Sequence, residues 1–143
     1  MIEGMDKLLK DFHKMDLDKK AVKKILIRAA SPMLSAAKQK SHSKTVARSL
    51  GWITKNDNKY PMTVLMGVRS GFGTETMTAA ALASIQEFGS VLRFKEDGSK
   101  TGFVKPQQFM RPAFDENKGH IKETIIEGLT ELIDKQAKKN NIK

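Results

Sequence analysis

Three histidines, a glycine-rich turn and two carboxylates are the groups from which chemistry would have to be built in this 143-residue chain. His13, His42 and His120 stand far apart on different predicted elements, and with no cysteine anywhere, no spacing of His or Cys makes a metal cage. The stretch "GVRSGFGTE", residues 67–75, sets glycines beside a predicted strand, as a phosphate loop does, but the Lys and Ser/Thr that grip phosphates are absent at the positions where they are needed. Glu87 and Asp115 would serve as general acid and base if they met, and nothing in their spacing brings them together. The expectation is a protein that is not an enzyme and holds neither metal nor cofactor.

The elements that would position these groups are legible as periodicity. Met5, Leu8, Leu9, Phe12 and Met15 in "MDKLLKDFHKM" make a short amphipathic helix. Past "DLD", where Asp16 or Asp18 can cap, Val22, Ile25, Leu26, Ala29, Met33 and Ala37 recur at steps of three and four, the stripe of a long helix. Pro32 inside it predicts a kink or break near Ser31. "SHSKTVARSLGW" reads as polar loop, whereas "SLGWITK" and "YPMTVLMGVRS" have the β-branched and aromatic content of strands, paired through "NDNK". "GFGTETMT" is a loop before an alanine-rich helix over 80–88 that Gly89 stops. "VLRFK" and "GFVK" flank the turn "EDGSKT" as a β-hairpin. Ile121, Ile125, Leu129, Leu132 and Ile133 mark a last helix ahead of a basic tail at 138–143.

Together these predict one α+β domain over residues 1–143, an antiparallel β-sheet packed against a long N-terminal helix and a C-terminal helix, with an extended hairpin. The loops at 71–78 and 95–102 are expected to be mobile and to order only on assembly.

Into the last helix leads "KPQQFMRPAFDENKGHI", residues 105–121. Pro106 suits an extended approach and Pro112 a first helical turn. Phe109, Met110 and Phe114 would most simply fill core under the sheet. Arg111 among them either pairs with a carboxylate, Glu87 of the same subunit or an acid of the next, or faces a partner.

Lys+Arg 26 against Asp+Glu 16 leaves a net charge of +10, pointing to a partner rich in negative charge. Lys19, Lys20, Lys23, Lys24 and Arg28 lie around one predicted helix, as a solvated face or as a phosphate-facing surface. Aromatic residues are few and not interleaved with these cations, so contact with nucleic acid would be sequence-independent. "MIEGMDKLLKDF" lacks the apolar run of a signal peptide, and no stretch of about 18 apolar residues occurs, so neither export by that route nor a membrane span is expected.

Three stretches, "IEGMDKLLKDF" (2–12), "ALASIQEFGS" (81–90) and "KPQQFMRPAFDE" (105–116), resemble in order and spacing the small tail-component family of long-tailed bacteriophages, proteins of the neck or tail-completion type. Ser90 stands where that family usually has threonine, and Val46 in "TVARSL" where it has glycine. The resemblance implies a non-enzymatic α+β virion protein, assembled in the host bacterial cytoplasm as a ring at the head–tail junction. A hexamer is favoured over a dodecamer. Its partners would be its own copies, neighbouring head-completion and tail proteins and, non-specifically, passing DNA. On that reading Glu87, Phe88, Phe109, Met110, Arg111, Pro112 and Phe114 are interface candidates. Charge alone supports an alternative, a small basic nucleic-acid-binding protein without sequence specificity.

Overall fold

In the computed structural model, which describes residues 18–55, 63–75 and 77–140, the first helix opens at Asp18. The Asp18 carboxylate accepts the Lys20 amide at 2.9 Å, and helix α1 runs over Lys19–Lys40. The predicted short helix at 5–15, the "NDNK" connection and residues 141–143 lie outside the described residues.

α1 passes through Pro32 without the expected break. A proline in a helix interior removes one hydrogen bond and crowds the preceding turn, at a cost of about 3 kcal/mol. Packing on both sides outweighs it: Ala29 and Ala37 are fully buried, and Met33 and Leu34 lie against the core. Beside the proline, the Ser31 hydroxyl donates to the Ile27 carbonyl at 3.1 Å.

The predicted loop after α1 contains a second helix, α2, Lys44–Ser49. Ser43 caps it, its hydroxyl oxygen accepting the Val46 amide at 3.3 Å. Six residues do not hold a helix by propensity. Val46 and Leu50, four apart and both fully buried, hold it by burial.

Strands β1 (Leu50–Lys55) and β2 (Thr63–Val68) pair antiparallel as predicted, with Leu50 opposite Val68 and Trp52 opposite Met66. α3 covers Ala79–Phe88, one residue longer than predicted at its start, where the Thr78 hydroxyl accepts the Ala81 amide at 3.3 Å. The hairpin is also present, as β3 (Arg93–Phe94) and β4 (Lys100–Gly102). Its second strand lies nearer the turn than "GFVK" predicts, because the backbone of Val104 is engaged elsewhere: its carbonyl accepts the Ser90 amide and its amide donates to the Ser90 hydroxyl. The last helix, α4, spans Met110–Asn140 and so absorbs part of the expected tail.

The architecture is α+β, with two separate two-stranded sheets among the described residues. α1 packs on β1 and β2 and lies along α4. The two helices run antiparallel: Lys40, at the end of α1, pairs with Glu116 near the start of α4 at 2.8 Å, while Ile25 covers Gly128. A Cβ at Gly128 would stand 2.7 Å from the Ile25 side chain, so the glycine lets the helices approach closely. The central core of Ala37, Val46, Leu50, Ala83, Phe109 and Ala113 sits where the end of α1, α2, β1, α3 and the first turn of α4 converge. Only that first turn brings α4 to the sheet's core; the rest follows α1.

Candidate assembly site at the junction of α3 and α4

A helix begins with backbone amides that have no partner within it. In α4 they are all accounted for. The Glu87 carboxylate, only 8% exposed at the end of α3, accepts the amides of Phe109 at 2.8 Å, Met110 at 2.9 Å and Arg111 at 3.1 Å. Pro112 has no amide to satisfy, and Ala113 makes the first bond of the helix, to the Phe109 carbonyl at 3.4 Å. A buried negative charge thus sits on the positive end of a 31-residue helix.

The same junction is stitched at two further points. The Gln107 amide donates to the Gln86 carbonyl at 2.7 Å, and the Ser90 amide to the Val104 carbonyl at 2.9 Å. Gly89, at φ +76°, makes the turn between them; a Cβ there would lie 2.6 Å from the Val104 carbonyl oxygen and 2.9 Å from Pro106 Cδ. Pro106 is therefore a wall of this turn as well as part of the approach to α4.

The junction sorts the residues singled out in the sequence. Phe109 is core, and Met110 packs against it half-buried. Phe114 is not the core residue expected: it is 49% exposed, and Phe88 is 75% exposed. Arg111 meets Glu87 through its backbone amide and not through its guanidinium, which is exposed and in no ion pair among the described residues. The reason is geometric, since the carboxylate is already filled by amides from the helix end. Glu87 and Asp115 form no acid–base pair: the first is buried in the cap, and the second lies exposed beside Lys118 at 3.5 Å. His42 and His120 are exposed on separate elements, and His13 lies outside the described residues. Among the described residues no cluster of His, Asp or Glu is placed to hold a metal ion.

Beside the cap an open groove of about 520 Å³ is lined by Met33, Leu50, Val68, Phe109, Met110 and Phe114, with Phe88 and Arg111 also on its walls. From the same junction the β3–β4 hairpin projects, with every residue from 91 to 108 exposed. Its apolar side chains are not covered: Val91 is 81% exposed, and Phe94 and Phe103 are each 60% exposed. At its tip Asp97 accepts both the Ser99 amide, at 2.8 Å, and the Ser99 hydroxyl, at 2.6 Å. Chiefly the hydroxyl, then the amide, holds the Asp97 carboxyl below its ordinary pKa of 3.8.

Lys19, Lys20, Lys23, Lys24 and Arg28 are all exposed and fall within one half of the circumference of α1. Lys19, Lys20 and Lys23, with Lys55, line a cleft of about 160 Å³ at the end of the strand pair where Lys55 stands opposite Thr63. No helix among the described residues is long and apolar enough to cross a membrane. The 71–78 loop is closed on itself, the Thr74 amide donating to the Met77 carbonyl at 2.8 Å and the Ala79 amide to the Phe72 carbonyl at 3.0 Å.

No family model, curated protein or solved structure matches this chain.

Sequence reasoning passed over one structural residue, Arg69. Its guanidinium donates to the Arg48 carbonyl at 2.9 Å at the end of α2 and lies over the Phe72 ring at 5.2 Å. A Cβ at Gly51 would stand 2.9 Å from its Cδ. The signal was Gly51 itself, because a glycine within a strand marks close approach by another group.

Proposed function

We propose that this protein is a structural subunit that joins copies of itself into a ring, and that the ring belongs to the head–tail junction of a long-tailed bacteriophage. One observation carries the self-assembly. Most of the exposed large apolar side chains lie between Phe88 and Phe114, on a projecting hairpin and around an open hollow, instead of being scattered. Concentrated apolar surface of this kind marks an interaction site. A closed ring requires two unlike, complementary patches on every subunit, and a projection and a hollow on one chain answer that requirement. The place in the virion rests on the three stretches that resemble the tail-component family.

Light scattering and negative-stain electron microscopy of the purified chain test the reading. Closed rings, six-membered for preference, are expected, and phage lacking the protein should accumulate filled heads and separate tails. A chain that stays monomeric at high concentration and is dispensable for joining heads to tails would reject it. The basic half of α1 favours a second reading, sequence-independent DNA binding. That reading requires an affinity for duplex DNA that falls steeply between 50 and 200 mM salt, roughly a thousandfold or more for six phosphate contacts, without assembly.

A further inference from the structure

We infer that the β3–β4 hairpin of one copy docks in the groove beside the Glu87 cap of the next copy, with Glu96 at the hairpin tip meeting Arg111. This rests on the self-assembly reading and names the surfaces that meet. The hairpin is a preformed arm. Ser90 and Val104 clamp its base with two hydrogen bonds, Thr101 bonds the Arg93 carbonyl at 2.8 Å, and the tip is closed from Lys95 to Ser99 at 2.8 Å. Little ordering remains to be done on docking, which removes one of the main costs of association. Left alone, a two-stranded hairpin in water is marginally stable, and this one bares Val91, Leu92, Phe94, Phe103 and Val104.

Within one chain arm and groove do not satisfy each other: residues 91–108 stay exposed, and the groove stays open. The occupant that fits is therefore the arm of a second copy. One opposite-charge pair is available to this docking. Arg111 stands on the groove wall without an ion pair among the described residues, and Glu96, exposed at the arm's tip, has none either. Each copy gives an arm and receives one, a head-to-tail contact that closes into a ring.

The absence of cysteine makes the test clean, since introduced thiols are the sole ones. A full-length Lys95→Cys chain is mixed with a full-length Phe114→Cys chain under mild oxidation. The expected product is the mixed disulfide dimer, lost when the arm also carries Phe94→Asp and Phe103→Asp, two exposed positions whose substitution should leave the circular dichroism spectrum unchanged. Arg111→Glu should weaken association at least tenfold, and Glu96→Arg in the same chain should restore it. An oligomer that persists in the arm variants, without the mixed disulfide, would overturn arm docking while leaving ring assembly standing. A folded chain that is monomeric and gives no mixed disulfide would overturn both. A disulfide within a single chain carrying both cysteines, formed at high dilution, would put the arm in its own groove and also overturn the inference.

Discussion

Glu87 ties two helices together, because one carboxylate serves three amides of another helix. Glu87→Ala leaves those donors unpaired, the Phe109 amide buried and the other two partly so, and should lower stability by roughly 2–4 kcal/mol in urea denaturation. Glu87→Gln, with one acceptor oxygen and no charge, should fall between. An effect of Glu87→Ala within about 0.5 kcal/mol would show that water replaces the cap freely. The sequence brought Glu87 and Arg111 together as residues, but not as the right atoms, since backbone amides carry no letter. Asp97 offers a pH test. Its folded pKa lies below 3.8, so the tip contact is kept at neutral pH and lost only as pH falls through that lowered value. An NMR titration should place its midpoint below 3.8, and Ser99→Ala should raise it; a midpoint unmoved by that substitution would contradict the assigned cause.

Among the elements, those with long apolar periodicity were legible and those made by tertiary contact were not. α1, α3 and the β1–β2 pair follow their patterns. α2 was hidden because a six-residue stretch with four polar residues becomes helical only when its Val46 is buried. The N-terminal start of α4 was hinted at by Pro112, yet the feature that permits it, the cap, comes from a residue more than twenty positions earlier. At Pro32 the opposite holds: of the kink or break that the proline signals, the break loses to burial on both sides and the helix is continuous. Pro32→Ala returns an amide donor to the helix and removes the ring's clash, so thermal or urea unfolding should show a gain of roughly 1–3 kcal/mol. A loss would mean that the ring itself fills space that alanine leaves empty.

At the level of the whole molecule, +10 is distributed against the interest of the isolated chain. Lys19 and Lys20 occupy the first turn of α1, where the helix end is already positive and the capping Asp18 is the one acid beside them among the described residues. Lys20→Glu, Lys23→Glu and Lys24→Glu together should therefore raise the melting temperature of the purified protein, by about 2–5 °C. If the proposed virion role holds and the cluster serves a partner there, the same chain should give fewer infectious, DNA-filled, tailed particles. A stabler protein with a normal particle yield would assign the lysines to solvent alone. The candidate site follows the same division. Its apolar residues could be read in the sequence, while the distinction between Phe109, buried at 1%, and Phe114, open in the groove, arises only when α1 and α3 meet α4.

The clamp between Ser90 and Val104 also separates what the fold needs from what it can exchange. All that joins α3 to α4 lies on the body's side of that clamp, and the residues beyond it, 91 to 103, contribute nothing to the core cluster. Doubling the length of such a loop costs only about 0.6 kcal/mol in closure entropy. The chain is thus a natural display scaffold: a foreign epitope spliced between Asp97 and Gly98 would be carried outward on a stem already built, and the same latitude would let descendants of this protein change the arm's reach while keeping the body intact.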